Sequence, residues 1–310
     1  MKKPTHKIYR TTNWPAYNRA LINRGNIAIW FDPKTQWYAE PQGKQGRSQT
    51  YSDIAIQCCL MIKSLFRLTL RMVTGFVQSL IKLCGLDWTA PDFTTLCRRQ
   101  KYIDIQINYQ KSRDGLHLLV DSTGLKFLGE GEWKRKKHQP EYRRQWRKLH
   151  IGIDAETLQI RAVQLTTNNV SDSQVLGDLL DQIPLDERID SVYTDGAYDT
   201  KCCRQVISDR QAHAVIPPRK NAKPWKDSKI SSIERNELLQ TVKHLGRTLW
   251  KKWSGYHRRS LVETKMHCIK LLGDKLMARS FPSQVNEIHA RVAVLNRFTE
   301  LGRPLTQVTP

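Results

Sequence analysis

The sequence predicts an α/β protein, with a mixed sheet flanked by helices and a helical region before it. Between residues 52 and 101, apolar side chains recur every three or four positions, which is the spacing of amphipathic helices. From Gly115 onward, short apolar runs of β-type composition alternate with helical segments. Strands interleaved with helices are typical of a sheet with some parallel pairing. A chain of 310 residues is long enough for two such domains.

The charge balance points to a polyanionic partner. Lys and Arg number 51 against 29 Asp and Glu, so the formal net charge is +22. A surplus of this size favours nucleic acid first and an acidic membrane surface second. Nine Trp and ten Tyr strengthen the case for nucleic acid, because aromatic faces stack on bases.

Cysteine usage and hydropathy favour a soluble, cytoplasmic protein with no membrane partner. The seven cysteines include no CxxC pair and the nine histidines lack metal-ligand spacing, so neither a zinc site nor a disulfide framework is expected. Nothing near the N-terminus resembles a signal peptide, and no apolar run approaches the roughly 18 residues of a spanning helix.

Residues 1–50 form a basic, weakly patterned segment in which we expect one helix and one short strand pair. Pro15 lies near the start of a predicted helix that runs to Arg24 and ends at Gly25. The strand pair is expected within residues 26–41.

Residues 51–112 predict a helical DNA-binding domain. A first helix begins after the N-cap Ser52, a second ends at Gly85, and a third begins after Asp92. This order fits a helix-turn-helix arrangement, in which the short third helix contacts DNA. The basic residues at the end of that helix are Arg98, Arg99 and Lys101. An ordinary three-helix bundle with solvated cations is the alternative.

The sheet is expected in residues 113–300, with a tail at 301–310. Ser171 and Gln174 predict a capping box on a helix between two of the strands. The predicted strands are 116–120, 149–153, 160–165, 189–194 and 212–216.

Two aspartates follow strands of this sheet and are the first candidates for chemistry. Asp121 closes the first predicted strand and Asp195 the fourth, and ligands bind at the carboxyl ends of strands in α/β sheets. If the two strands are neighbours, the carboxylates lie side by side. For either residue alone a turn or cap is the better reading, because Asp195-Gly196 also fits a hairpin turn.

A charged stripe later in the chain supplies a third carboxylate, Glu263. On a helix, Arg259, Glu263 and Lys270 fall within about 60° of Tyr256. A carboxylate surrounded by basic side chains suits a metal ligand that lies beside a phosphate-bearing substrate. If the three carboxylates converge, they repel one another, and a pair of Mg²⁺ ions would relieve that repulsion. The alternative is a capping box formed by Ser260 and Glu263.

The spacing Y-x2-R-x3-E-x6-K of that stripe resembles the Y-R-E-K signature of bacterial insertion-sequence transposases with a DDE triad. More narrowly, the sequence is similar to the fifth insertion-sequence family, and the likeness spans nearly the whole chain. The other segments that carry it are GLDWTAPDFTTLCRR, LLVDSTGLK, TDGAYDT and LLGDKLMARSF.

The resemblance implies an RNase H-like fold of the retroviral-integrase superfamily. It implies that Asp121, Asp195 and Glu263 bind two Mg²⁺ ions, with Mn²⁺ as an alternative, and that Tyr256, Arg259 and Lys270 hold DNA phosphates. Such proteins bind terminal inverted repeats, cut the element's ends and join the freed 3′-hydroxyl to target DNA. A dimer on double-stranded DNA and association with the nucleoid follow as expectations.

A basic, aromatic run between the first two strands adds Trp133 and Arg147 as candidate DNA contacts. Two other functions remain open at this point. One is an RNase H-like nuclease or resolvase that hydrolyses DNA without joining strands. The other is a catalytically inactive DNA-binding regulator.

Overall fold

The computed structural model describes residues 8–41, 43, 48–112, 114–129, 137 and 145–309. The chain divides into two units, Met1–Asn108 with Ala293–Pro310, and Tyr109–Val292. The sequence-based division, after residues 50, 112 and 300, stays a prediction.

The first unit contains helices α1 to α4 and a two-stranded antiparallel sheet of its first and last strands. The end of a long helix, α10, belongs to it as well. These elements are β1 (Ile8–Thr11), α1 (Trp14–Arg24), α2 (Asp53–Phe66), α3 (Leu70–Leu83), α4 (Phe93–Arg99), α10 (Phe281–Leu301) and β8 (Thr306–Thr309).

The predicted first helix is confirmed, but the predicted strand pair in residues 26–41 is wrong. A 3-10 turn, Ile27–Ile29, lies there instead, and the β-type pairing of this segment is a single bridge between Tyr38 and Tyr51. The turn forms because the side chain of Asn26 accepts a hydrogen bond from the Ala28 N–H at 3.1 Å.

The three helices predicted for residues 51–112 are confirmed. The Ser52 side chain caps α2 by accepting from the Ala55 N–H at 3.0 Å, and Asp92 caps α4 by accepting from the Thr94 N–H at 3.1 Å. Gly85 follows α3 with a φ of 64°, a conformation that glycine adopts without strain. α4 ends at Arg99, so Lys101 lies in the turn that follows it.

The second unit is built on a six-stranded mixed sheet in the order β4-β3-β2-β5-β6, with β7 paired to β2. Counted from β2 the order is 3-2-1-4-5, and only the second strand runs antiparallel to the others. This confirms the predicted mixed sheet, with the topology of the RNase H-like fold. The strands are β2 (Leu116–Phe127), β3 (Arg147–Asp154), β4 (Ile160–Thr167), β5 (Ile189–Tyr193), β6 (His213–Val215) and β7 (Lys275–Leu276).

The prediction that Asp121 closes its strand is wrong, because β2 continues to Phe127. Asp121 pairs with Ile151 inside the antiparallel ladder of β2 and β3. The turn-type residues after it do not break the strand, since the backbone from Ser122 to Leu125 is paired with β3.

Helices cover both faces of this sheet. Side chains alternate between faces along β2, so Leu118 and Val120 pack with α5 and α6, while Asp121 and Thr123 point to the side of α9. The helices of this unit are α5 (Asp172–Asp181), α6 (Lys201–Asp209), α7 (Ile230–Leu245), α8 (Arg247–Trp253), α9 (Ser260–Leu271) and the start of α10.

The predicted continuous helix from Tyr256 to Lys270 is only partly correct. Residues Tyr256–Arg259 form a 3-10 turn, which follows Gly255 in a left-handed conformation, and the α-helix begins at Ser260. Its buried side is the predicted one, made of Val262, Met266 and Ile269. Among the helices in the described residues, none is long and apolar enough to span a membrane.

His150 on β3 is fully buried and generates a prediction about pH. Its Nε2 lies 3.0 Å from the Thr166 hydroxyl, and its Nδ1 lies 3.6 Å from the Asp172 carboxylate. Burial, with a smaller contribution from Lys148, lowers its pKa from 6.5 to about 4 although Asp172 opposes the change.

Between pH 6.5 and pH 4, therefore, His150 takes up a proton in the unfolded chain but not in the folded one. We expect the free energy of unfolding to fall as pH falls through this window, by at most roughly 1.4 kcal/mol per pH unit from this residue. Urea unfolding at several pH values tests this. His150→Gln should flatten the dependence, whereas His257→Gln, at an exposed position, should not. Equal slopes for the two variants would contradict it.

Candidate active site

Asp121 and Asp195 lie level on neighbouring parallel strands. Leu119 of β2 is paired with Tyr193 of β5, and each aspartate lies two residues beyond its paired residue. Adjacent strands are about 4.8 Å apart, so the register brings both carboxylates to one place. The condition that the two strands are neighbours is therefore met, although Asp121 lies within its strand and not at its end.

The Asp121 carboxylate is mostly buried, with 16% of its side chain exposed. Its Oδ1 accepts a hydrogen bond from the Ser122 N–H at 2.8 Å, and its Oδ2 accepts from the Arg259 guanidinium. Burial raises its pKa and the negative charge of Asp195 raises it further, against the opposing effects of the Ser122 N–H and Arg259. The two aspartates therefore interact as like charges in a site with little solvent.

Asp195 begins the turn that follows β5. Its Oδ1 accepts from the Ala197 N–H at 2.8 Å, which caps the 3-10 turn Gly196–Tyr198. The alternative of a hairpin turn is wrong, because this turn leads into α6 and not into an antiparallel strand. The guanidinium of Arg219 closes the other side of the turn by donating to the carbonyls of Gly196 and Ala197, at 3.2 and 3.0 Å.

Asp199 lies at the end of the same turn, and its carboxylate is buried among arginine side chains. Only 1% of its side chain is exposed, and it forms ion pairs with Arg204 at 2.9 Å and Arg235 at 3.2 Å. This network ties the turn to α6 and α7. Sequence reasoning missed it, since the four-residue spacing of the two aspartates in TDGAYDT does not reveal which is buried with arginines.

Glu263 is joined to Asp121 through a guanidinium. Arg259 forms an ion pair with the Asp121 carboxylate through one terminal nitrogen and with Glu263 through the other. Glu263 is 56% exposed and lies in the first turn of α9. It does not act as a cap partner, because the Ser260 hydroxyl donates to the carbonyl of His257 at 2.9 Å.

Tyr256 and Lys270 flank these carboxylates. Tyr256 is half-buried against Trp250, with a ring distance of 5.8 Å, and forms a side-chain hydrogen bond with Arg259. Burial raises the pKa of its phenol, with Asp195 and Asp121 contributing. The Lys270 ammonium donates to the Thr123 hydroxyl at 2.7 Å, two residues along β2 from Asp121. The signature residues are thus grouped along one side of β2.

The donor set fits a divalent cation. Carboxylate oxygens are the ligands that Mg²⁺ and Mn²⁺ prefer, and a cationic group, the guanidinium of Arg259, already lies between Asp121 and Glu263. Within the described ranges, no group of three or more His, Cys, Asp or Glu side chains is arranged to hold a metal ion. Asp121 and Glu263 are instead joined through the guanidinium of Arg259.

A polar cluster on the opposite face of β2 lies next to these residues and was not predicted as part of the site. Lys148 of β3 forms an ion pair with Asp172 at 2.8 Å, and Asp172 also has a side-chain hydrogen bond with Ser122. Burial opposes ionisation of Asp172, but these two donors prevail and lower its pKa. Ser122 connects the cluster to Asp121 in the chain.

The other predicted DNA contacts differ in their environments. Arg98 and Lys101 are exposed. The side chain of Arg99 is only 15% exposed, and it forms an ion pair with Asp53 and donates a hydrogen bond to the Tyr51 carbonyl. Arg147 donates to Gln284 at 2.8 Å and lies over the rings of Phe127 and Phe281, at 4.3 and 5.2 Å. Trp133 lies outside the described residues.

Two sequence models of protein families match this chain, and both have the same description. The sequence model of a family described as "Transposase DDE domain" matches residues 112–297, and a second model with the same description matches residues 22–130. The first range contains Asp121, Asp195 and Glu263.

A search of solved structures finds a chain of a simian T-cell lymphotropic virus assembly. It is described as a cryo-EM structure of the viral intasome in complex with PP2A regulatory subunit B56 gamma. Its sequence identity with this chain is 16% and the TM-score is 0.23, with 70% of this chain and 74% of that chain covered.

Proposed function

The chain belongs to the family of transposases with a DDE domain, whose sequence model matches more than half of it, and from this premise we propose a full transposition activity. In the proposal the protein binds the terminal inverted repeats of an insertion sequence, cleaves DNA at the ends of the element and joins the freed 3′-hydroxyl to target DNA. The Y-R-E-K residues would place it in the fifth insertion-sequence family.

One observation carries the proposal. The guanidinium of Arg259 links Asp121 to Glu263, and Asp195 lies level with Asp121 on the neighbouring strand. Three acids that are distant in the sequence are thereby associated around one side of the sheet. Carboxylates that lie near one another repel, and the guanidinium of Arg259 offsets the charge of Asp121 and Glu263.

Asp121, Asp195 and Glu263 would hold the divalent ions, Mg²⁺ in two copies or Mn²⁺ in their place. When bound, such ions activate the attacking oxygen and neutralise charge on the phosphate. The guanidinium of Arg259 donates to Oδ2 of Asp121, so a divalent ion held by this carboxylate would have to share it with Arg259 or replace Arg259 there. A DNA phosphate would release Asp121 by drawing Arg259 to itself, because guanidinium groups bind phosphates in a bidentate manner.

The reaction consists of two phosphoryl transfers. In the first, a water oxygen attacks the phosphorus at the element's end, the bond from phosphorus to the 3′-oxygen breaks, and a 3′-hydroxyl is released. In the second, that hydroxyl attacks a phosphodiester of the target, loses its proton, and replaces the target's own 3′-oxygen. Tyr256, Arg259 and Lys270 would orient the phosphates, by a hydrogen bond and by charge.

Exposed cations next to the site support a DNA path toward it. Lys252 and Arg258 are exposed in α8 and the following 3-10 turn, and the Trp253 side chain is 79% exposed near them in the chain. Cations track the phosphate backbone and an exposed indole can stack on a base. Pairing of two element ends would need at least a dimer on DNA, and such a role would associate the protein with the nucleoid.

The metal-ligand role of Glu263 predicts a separation of cleavage from binding. Glu263→Gln removes one negative charge, so cleavage of a duplex that carries the end of the element should fall by roughly a hundredfold or more. Binding of the same duplex should change little, because the affinity for DNA depends on basic side chains and not on this carboxylate. Glu237→Gln, at an exposed position on α7, is the matched control.

A pre-cleaved duplex with a free 3′-hydroxyl separates transposition from simple hydrolysis in the same assay. Joining of this duplex to a plasmid supports the proposal. Cleavage without joining would identify a nuclease instead, and normal cleavage by Glu263→Gln would exclude the metal role.

The environments of Arg98 and Arg99 predict different effects on DNA binding. Arg98 is exposed at the end of α4, so Arg98→Ala should weaken binding of the element end and reduce the salt slope by about 1 if one phosphate contact is lost. Arg99→Ala should instead lower the melting temperature, because it removes the contact with Asp53 and Tyr51. Fluorescence anisotropy at several salt concentrations measures the first effect. An unchanged slope for Arg98→Ala would argue against DNA contact by α4.

A further inference from the structure

The exposed side of α3 carries a glycine for which packing within the protein gives no reason. Gly75 lies in the interior of the helix, and a Cβ atom built on it would meet no atom of the described residues within 4 Å. Glycine in a helix interior is less stable than alanine, because its backbone loses more freedom on folding. The close approach of a partner to the helix backbone is a reason to keep glycine at such a position.

The side chains in line with Gly75 are basic or polar. Arg71, Gln78 and Lys82 are exposed, and with Gly75 they fall within about 60° of one another around the helix. We call these four residues the α3 face. No Asp or Glu occurs between residues 54 and 86, so the α3 face has positive charge with no acid near it in the sequence. Its charge is complementary to that of a polyanion.

The opposite side of α3 fixes the direction of the α3 face. Val73, Val77 and Ile81 are buried there, and the Thr74 hydroxyl donates to the carbonyl of Pro91 at 3.0 Å. The guanidinium of Arg71 also lies over the ring of Phe93 in α4, with 4.4 Å between its Cζ and the ring centre. The α3 face is therefore presented by a helix that is held in place before any partner binds.

The connection between α2 and α3 has the length found in helix-turn-helix motifs. α2 ends at Phe66 and α3 begins at Leu70, so three residues separate them. The first of these, Arg67, ends α2 in a left-handed conformation with a φ of 51°. In such motifs the second helix enters the major groove of DNA and its N-terminal residues contact the base edges. The α3 face begins in the first turn of that second helix.

α4 is less suited to contacts with base edges. It has seven residues, and the exposed Asp92 lies at its N-terminal end, where its carboxylate accepts from the Thr94 N–H. A negative charge at this end opposes its entry into a groove that is bordered by phosphates. At the other end, Arg98 and Lys101 are exposed and suit the phosphate backbone, whose contacts position a protein without reading the sequence.

We propose that the α3 face enters the major groove of the element's end and reads its sequence, while Arg98 of α4 contacts the phosphate backbone. Gln78 suits adenine, whose N6 and N7 a glutamine side chain contacts in a bidentate manner. Gly75 allows the helix to approach the bases closely. The inference rests on the recognition of the element's end in the proposed function, and it is independent of the metal-ligand roles of the acids.

Gly75→Ala in the full chain tests this, because opposite effects on stability and on binding are expected. The melting temperature should rise by about 1–3 °C, since alanine favours the helix and the added methyl group meets no neighbour. The affinity for a labelled duplex of the element's end, measured by fluorescence anisotropy, should fall about fivefold or more, because the methyl group occupies space that the DNA needs.

Gly177→Ala in α5 is the matched control. A Cβ atom at this helical glycine also meets nothing within 4 Å among the described residues, so the substitution should raise the melting temperature and leave binding of the duplex unchanged. A Gly75→Ala protein that melts at a lower temperature than the original would overturn the inference, since the fold itself would then require the glycine.

Gln78→Ala tests the reading of sequence separately from affinity. Its preference for the element's end over a duplex of scrambled sequence should fall about tenfold, while its affinity for the scrambled duplex stays unchanged. If Gly75→Ala and Gln78→Ala both keep the original affinity and preference, α3 is not the reading helix and the proposed function stands. If the original protein shows no preference for the element's end, the recognition in the proposed function fails, and this inference fails with it.

Discussion

The contact of Arg259 with Asp121 and Glu263 is the interaction on which the site depends. Asp121 and Asp195 interact unfavourably as like charges, and burial of Asp121 makes that repulsion stronger than it would be in water. The guanidinium of Arg259 offsets part of this cost by pairing with Asp121. In the proposed reaction, divalent ions would take over this role while Arg259 binds a DNA phosphate.

The rest of the second unit keeps the acids in register. The parallel pairing of β2 with β5 sets Asp121 and Asp195 at one level, and the buried apolar side of α9 brings Arg259 and Glu263 over them. Asp199 fixes the turn that carries Asp195, since breaking a buried ion pair of this kind typically costs about 3–5 kcal/mol. Function at this site therefore depends on residues that contact no substrate.

Local signals in the sequence were sufficient for much of this arrangement. Helical spacing located α2 and α3, and the short apolar runs located the strands that carry or precede Asp121 and Asp195, whereas the pairing of those two strands was left as a condition. The extension of β2 past Asp121 was not predictable from Ser-Thr-Gly, because its pairing with β3 and β7 is a tertiary effect. The sequence pattern did not predict α10, because this helix buries residues on several sides and so lacks a single apolar face. Asp199 gains its role only from the arginines that folding brings to it.

The claim that the guanidinium of Arg259 holds the place of a divalent cation can be tested directly by crystallography. Crystals of the protein grown with Mn²⁺ and a duplex of the element's end would be measured for anomalous scattering from manganese. We expect anomalous density bound by Asp121 and Asp195, with the Arg259 guanidinium moved away from Asp121. Manganese elsewhere in the protein, with Arg259 still bound to Asp121 and Glu263, would contradict it.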